Sequence, residues 1–190
     1  MNLSSPNRMV WQYFEALRRL VSELDADQDE AVLKQNVALS IFLSVTVVEA
    51  FVNIFFRIVV SEDNFTHHKQ RVMDDLYYRK SLDYKLKHWP KVILGNKLNF
   101  NAPVPKAFLN LKNRRNALMH FTSTHESLAL PGIEVHGLAD TATFDTLQAS
   151  DAAGALDLAE GMLCELFRLK GTPEQHLKHA LHTWTGKVPI

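Results

Sequence analysis

The stretch 115–120 reads Arg-Asn-Ala-Leu-Met-His and brings together three side chains that can do chemistry on phosphate. Histidine has an unperturbed pKa of about 6.5, so His120 is suited to moving a proton near neutral pH. Arginine stays charged and presents a planar fork to two phosphate oxygens, which suits Arg115 to stabilising developing negative charge. Asn116 lies one turn before His120, where it can orient the imidazole or the phosphate. Cleavage of RNA through its own 2′-hydroxyl needs a proton-transfer group and a cation of these kinds.

The spacing of apolar residues places this stretch on a helix over residues 105–123, with Pro105 at its first position. At about 100° per residue, Arg115 falls on the apolar face of this helix, beside Leu111 and Leu118. A polar stripe is predicted on the other side, and it consists of Asn113, Asn116 and His120. A stripe of two asparagines and one histidine is equally typical of an ordinary solvent-exposed surface.

An arginine on an apolar face needs a partner, because an unpaired buried charge is costly. A second, mainly apolar helix predicted over residues 29–61 offers Glu49, and Asn53 and Arg57 continue a polar line at i+4 and i+8. The sequence therefore predicts an ion pair between Glu49 and Arg115. Such a pair has two interpretations: it fixes the register of two helices, or it holds Arg115 in place at a site.

The stretch 115–120 resembles the Arg-x(4–6)-His motif of the HEPN superfamily, and the apolar stretch 40–53 with its single acidic residue is similar to the buried helix of such proteins. The resemblance implies an all-α, HEPN-like bundle of about four to six helices. It also implies a homodimer with two motif copies facing one cleft, and metal-independent endoribonuclease activity without a cofactor. By the resemblance, His120 is the general base or acid, Arg115 clamps the phosphate with Asn116 beside it, and Glu49 and Asn53 support them.

The net charge is zero, but the charges are separated along the chain. Residues 84–125 contain eight Lys or Arg and no Asp or Glu, whereas residues 126–167 contain eight Asp or Glu and no Lys or Arg. The basic block can attract phosphate, and its members next to the motif are the predicted RNA-binding residues Lys112, Asn113 and Arg114. The alternative is that the two blocks neutralise each other within the fold.

Length and composition are typical of one globular domain over residues 1–190, with 46% apolar and 22% charged residues. The lone Cys164 excludes a disulfide framework and suits a reducing, cytoplasmic compartment. The longest charge-free stretch, 35–48, is shorter than the ~20 residues that a membrane span needs, so no membrane association is expected. No metal is expected either, because the histidine cluster His176, His179 and His182 drifts around its helix.

The remaining elements are also mostly helical. Apolar periodicity predicts helices over 6–24, 66–80, 81–89 and 151–170, the last ending at Gly171, and a short helix over 172–184. Pro90 and the residues up to Pro103 predict an irregular connection. A small β-hairpin insertion is predicted near 133–147, in which the stretch Ile-Glu-Val-His-Gly-Leu pairs with Thr-Ala-Thr-Phe-Asp-Thr-Leu.

Two functions follow from these observations. The first is a HEPN-type endoribonuclease that acts on RNA, in a toxin–antitoxin or phage-defence system. The second is a non-catalytic HEPN-like module that binds nucleic acid, a nucleotide or a protein partner such as an antitoxin. The presence of both Arg115 and His120 favours the first. The zero net charge and the acidic block favour the second, since RNA enzymes usually carry a basic footprint.

Overall fold

One long helix organises the molecule, and the other helices pack around it. The structure is a computed structural model that describes residues 5–24, 28–120, 126–138 and 141–186. The central helix, α2 (Glu30–Val59), begins at Asp29, whose carboxylate accepts hydrogen bonds from the backbone N–H groups of Ala31 and Val32. It packs against the first, fifth and seventh helices of the chain. Buried Ser40 and Ser44 are tolerated in this apolar helix because each hydroxyl donates to the carbonyl four residues earlier.

The other elements surround α2 in chain order. The N-terminal half contributes α1 (Arg8–Ser22), a 3₁₀ segment (Asp63–His68), α3 (Lys69–Tyr77) and α4 (Leu82–Ile93). The C-terminal half contributes α5 (Pro103–His120), strands β1 (Glu126–Leu130) and β2 (Ile133–Leu138), α6 (Ala142–Asp145), α7 (Ala149–Lys170) and α8 (Glu174–Thr185). Gly171 ends α7 with φ of 92°, as predicted for a glycine in the left-handed region after a helix.

Aromatic rings join α2 to the elements on both of its sides. Phe51 contacts Phe167 of α7 and Trp184 of α8 edge to face, with ring centroids 5.4 and 4.8 Å apart. On the other side, Phe56 packs against Trp89 of α4 at 5.4 Å. Burial of these large rings fixes the rotation of α2 about its axis, which in turn fixes the direction that Glu49 faces.

The prediction of a mainly helical protein is confirmed, and three details of it are wrong. The described residues contain more helical segments than the four to six expected, because the stretch 63–93 divides into three pieces and α6 adds a single turn. Pro90 does not end a helix: α4 continues through it to Ile93. The α5 helix begins at Pro103, two residues earlier than predicted.

The predicted hairpin over 133–147 is also wrong, because the strand at 133–138 has a different partner. That strand pairs antiparallel with 126–130, in a register that sets Leu130 opposite Ile133. The Pro131-Gly132 turn joins them, with Gly132 at φ of 81°, the conformation that a tight Pro-Gly turn requires at its second central residue. The residues expected to form the second strand instead make α6.

By length and composition alone, α2 is apolar enough to cross a membrane. Within the window that meets this criterion, 56% of the residues are buried inside the fold. A buried core helix of a globular protein passes the same test, so this feature is weak evidence for a membrane span.

Candidate functional site

The α5 helix packs against both α2 and α7, and its buried side chains set which residues face each neighbour. Phe108, Leu111 and Leu118 are buried. Near its start, α5 approaches α7 so closely that a Cβ added at Gly161 would lie 3.0 Å from a methyl group of Val104. Glycine at that position therefore allows the close packing of the two helices that carry the opposite charges of the basic and acidic blocks.

A polar cleft of about 260 Å³ opens where α5 meets α2 and the start of α4. Side chains from all three elements line this cleft: Glu49, Ser81, Leu82, Asp83, Lys112, Arg115 and Asn116. Four of the predicted site residues are thus brought together: Glu49, Lys112, Arg115 and Asn116. Asn116 is half-buried in this cleft, so the prediction that it lies on a separate polar stripe, away from Arg115, is wrong.

Arg115 is half-buried and has no acidic partner within the described part of the chain. One of its terminal nitrogens donates to the thioether sulfur of Met119 at 3.5 Å, a weak interaction for a charged donor. Its Nε is buried and finds no hydrogen-bond partner among the residues that the structure describes. The predicted ion pair between Glu49 and Arg115 does not form. Arg115 therefore keeps hydrogen-bonding capacity for a ligand in the cleft.

Glu49 pairs with a residue that sequence reasoning missed. The carboxylate of Glu49 lies 3.6 Å from Nζ of Lys85, whose side chain is only 4% exposed. The same ammonium group lies 5.7 Å from the ring centroid of Trp89, whose indole N–H donates to the buried Asp75 at 2.8 Å. Glu49 is the more exposed partner, at 39%. Its negative charge offsets the cost of burying the ammonium group of Lys85.

Lys112, predicted to bind RNA, also forms an ion pair within the fold. It pairs with Asp83 of α4, and its side chain is 11% exposed. The second carboxylate oxygen of Asp83, Oδ1, is buried without a hydrogen-bond partner. Two cations, Lys112 and Arg115, and two carboxylates, Glu49 and Asp83, line the cleft. Glu49 pairs with the buried Lys85 and Asp83 pairs with Lys112, so neither carboxylate pairs with Arg115.

Arg114 faces away from the cleft and toward α7. It makes a two-pronged ion pair with Asp151, at 2.6 and 3.0 Å. Burial alone would raise the pKa of Asp151, but hydrogen bonds from Arg114 and from the backbone N–H of Gln148 outweigh burial and lower that pKa below its ordinary value. This contact joins the basic and acidic blocks, whereas Lys85 and Lys112 pair with Glu49 and Asp83, acids that precede both blocks.

The other predicted site residues are placed as follows. Asn113 is exposed on α5. Asn53 follows Glu49 by one turn of α2, outside the lining of the cleft, and its amide oxygen is buried without a hydrogen-bond partner. His120 is the last residue of α5, five positions after Arg115, and its side chain lies outside the part that the structure describes.

No group of three or more His, Cys, Asp or Glu side chains that could hold a metal ion occurs within residues 5–24, 28–120, 126–138 and 141–186. No protein-family model, no curated protein and no solved structure matches this chain.

Proposed function

We propose that this protein is a metal-independent endoribonuclease of the HEPN type, acting in a toxin–antitoxin or phage-defence system. The observation that carries the proposal is the state of Arg115. Its guanidinium lines a polar cleft beside Asn116, has a buried Nε without a partner, and is not neutralised by any described carboxylate. A half-buried arginine left in this state is suited to an anionic ligand, and His120 of the motif follows five residues later as the last residue of the same helix.

The reaction needs only groups that this chain supplies. A base removes the proton from an RNA 2′-hydroxyl, and the oxygen attacks the adjacent phosphorus. The bond to the 5′-oxygen breaks, and an acid returns a proton to that leaving oxygen. The products are a 2′,3′-cyclic phosphate and a 5′-hydroxyl. In the proposed roles, His120 transfers a proton and Arg115 stabilises the charge on the phosphorus-bound oxygens.

The test is cleavage of one labelled single-stranded RNA by the purified protein in excess chelator. We expect products with 2′,3′-cyclic phosphate ends, and no cleavage of the same sequence as DNA, which lacks the attacking hydroxyl. His120→Ala is expected to slow cleavage by about 10²–10⁴-fold. Binding of RNA is expected to persist, because a neutral imidazole adds little affinity for phosphate.

A matched control is His179→Ala, which removes an exposed histidine on α8, outside the cleft. This variant is expected to cleave like the wild type. Cleavage that is equal in all three proteins, or that requires an added divalent metal, contradicts the proposal.

We propose that the active form is a homodimer in which the C-terminal ends of two α5 helices face each other. Asn113 is exposed on α5, and Met119, next to His120, is 50% exposed, so this part of α5 is accessible to a second copy. Light scattering at micromolar concentration is expected to give twice the 21.6 kDa mass of the chain. A monomeric mass together with full cleavage activity contradicts this assembly.

A specific observation favours the second candidate, a non-catalytic module that binds nucleic acid, a nucleotide or a protein partner. Two of the cations predicted to bind RNA, Lys112 and Arg114, are held in ion pairs within the fold. The basic footprint near the motif is smaller than the sequence indicates, which weakens the affinity for RNA that an enzyme needs. Binding of RNA or of a nucleotide without cleavage, in the experiment above, supports this candidate.

A further inference from the structure

A larger pocket, of about 590 Å³, lies on the same central helix but further toward its C-terminal end. It is bounded by the start of the chain's first helical region, by the end of α2 and by α3, and none of its lining residues lines the polar cleft. A volume of this size falls within the range of about 300–1,000 Å³ that is typical of small-molecule sites. The proposed endoribonuclease activity makes no use of it.

The walls of this pocket are aliphatic. Ile54, Ile58, Met73 and Pro6 contribute to them, and Ile58 and Met73 leave 36% and 42% of their surface exposed. Among the residues that the structure describes, no aromatic side chain lines the pocket, so a nucleobase would find no ring there to stack on. Branched aliphatic and thioether groups instead suit a flexible hydrocarbon chain, which gains free energy by leaving water and adapts to irregular walls.

The polar groups of the pocket are cationic. Arg57 and Lys69 line it, and within the described part of the chain neither side chain has an ion-pair or hydrogen-bond partner. No carboxylate from residues 5–24, 28–120, 126–138 or 141–186 lines the pocket. Glu62, close to it in sequence, pairs with Lys170 of α7 at 2.6 Å. The two cations are therefore available to one anionic headgroup, and Arg57 can hold a carboxylate or phosphate through two hydrogen bonds.

We propose that this pocket binds a single soluble aliphatic anion: one hydrocarbon chain that carries a carboxylate or a phosphate group. The headgroup lies against Arg57 and Lys69, and the chain lies along Ile54, Ile58 and Met73. The pocket is separate from the cleft that holds Arg115, so occupancy does not depend on RNA. The site is a ligand site in its own right, and it stands or falls independently of the endoribonuclease.

The test is a calorimetric titration of the full chain with hexanoate, octanoate and decanoate, each below the concentration at which it forms micelles. Affinity is expected to rise about fourfold for each added methylene, the equivalent of about 0.8 kcal/mol. Octylamine, with the same chain length as octanoate and the opposite charge, is expected to bind at least tenfold more weakly. Affinity that does not change with chain length, or equal binding of octylamine, overturns the proposal.

Variants locate the site. Arg57→Gln and Lys69→Gln are each expected to weaken octanoate binding by about tenfold, which is the loss of one charge-assisted contact. Arg71→Gln is the matched control, because Arg71 is an exposed cation of α3 that does not line the pocket. Met73→Trp is expected to obstruct the wall along which the hydrocarbon chain lies and to weaken binding. All four positions are exposed, so unchanged thermal unfolding is expected. An equal loss in Arg71→Gln overturns the assignment.

The same chemistry is found in lipids, so one arm of the experiment uses membranes. Sedimentation with vesicles of phosphatidylcholine, alone or mixed with phosphatidylglycerol, is expected to leave the protein in the supernatant while octanoate binds. Sedimentation with the anionic vesicles, together with no binding of octanoate, overturns the proposal in favour of a membrane surface.

Discussion

Two consecutive arginines of α5 differ in their partners: Arg114 forms an ion pair, and Arg115 has no described carboxylate within reach. On the side that faces α7, Arg114 is matched by both oxygens of Asp151, and the two side chains are 30% and 26% exposed. On the side that faces α2 and α4, Arg115 finds no described carboxylate and keeps a buried nitrogen without a partner. Residue type and position in sequence are nearly the same, so the difference lies in what the adjoining helices supply.

On the side that faces α7, Arg114 is fully paired, because the start of α7 holds the carboxylate of Asp151 in place. Asp151 is the third residue of α7, where its carboxylate accepts the backbone N–H of Gln148 and caps the helix. On the side that faces the cleft, Arg115 lacks an acidic partner because both nearby carboxylates pair with other cations. Glu49 pairs with Lys85, and Asp83 pairs with Lys112. A fold that leaves one cation unneutralised in a cleft indicates a ligand site, whereas a neutralised pair indicates a structural contact.

The largest effect is expected when the two arginines are compared in RNA cleavage. Arg115→Ala removes the group proposed to stabilise the transition state and is expected to slow cleavage by about 10²–10³-fold. Arg114→Ala is expected to slow it by less than about tenfold, since Arg114 is occupied by Asp151 and contributes only general charge. Initial rates on one labelled RNA in chelator measure both.

Arg115→Lys sharpens this comparison, because it keeps the charge and loses the planar fork. It is expected to recover only part of the lost rate. Equal losses in Arg114→Ala and Arg115→Ala would contradict the distinction between the two sides and would indicate that both arginines act as general phosphate-attracting charge.

A smaller effect is expected on stability at the base of the cleft. Glu49→Ala leaves Lys85, which is 4% exposed, without its acid, and is expected to lower the free energy of unfolding by about 1–3 kcal/mol. The partial exposure of Glu49 places this value below that of a fully buried pair. Glu49→Gln is expected to cost less, because the amide oxygen keeps a polar acceptor near the ammonium group in a side chain of the same size.

Urea unfolding measures these differences, and Glu62→Ala provides the surface reference. Glu62 pairs with Lys170 where both side chains are partly exposed, so its removal is expected to cost less than about 1 kcal/mol. Equal costs in Glu49→Ala and Glu62→Ala would show that the contact between Glu49 and Lys85 contributes no more than a surface pair.

Much of the helical layout could be predicted from the sequence, because apolar periodicity and capping residues act locally. The long α2, the α7 helix and its glycine end follow directly from such patterns. The hairpin was misassigned although the Pro131-Gly132 turn was present in the sequence. Periodicity identified the strand at 133–138, but choosing between its two neighbours required weighing that turn, which favours the preceding stretch.

The ion pairs were less predictable than the helices, for a physical reason. A helical wheel places Arg115 within one helix but carries no information about which neighbouring helix brings a carboxylate within reach. Glu49 was the nearest candidate on an apolar surface, yet Lys85 from α4 takes it. Finding Lys85 and Asp83 required the packing of α4 against α2, which a pattern along one chain segment does not contain.

Lowering the pH is expected to weaken the ion pair between Arg114 of α5 and Asp151 of α7. The pKa of Asp151 is lowered in the folded protein, so its ionised form contributes stability above the unfolded value of about 3.9, and this contribution is lost as pH falls through the folded pKa. Asp151→Asn is therefore expected to cost about 1–2 kcal/mol near pH 7 and less below about pH 4. Urea unfolding across this pH range checks it.

The control for this titration is Asp157→Asn, which changes an exposed carboxylate on the same helix. It is expected to change stability by less than about 0.5 kcal/mol at every pH. A pH-independent cost in Asp151→Asn would contradict the prediction, because both the ion pair with Arg114 and the hydrogen bond from Gln148 favour the ionised carboxylate.

The smallest effect is expected on RNA affinity, when Arg114 is deprived of its acidic partner and so resembles Arg115. Asp151→Asn removes the acid that holds Arg114, so Arg114 becomes available to phosphate. In a His120→Ala background that does not cut RNA, affinity for single-stranded RNA is expected to rise by about two- to fivefold. The slope of log affinity against log salt is expected to steepen by about 0.7, the value for one additional phosphate contact on a single strand.

Asp157→Asn makes the same change in net charge without freeing an arginine, and is expected to leave the slope unchanged. If both variants raise affinity equally, overall charge sets RNA binding, and the pairing of Arg114 with Asp151 has no part in it.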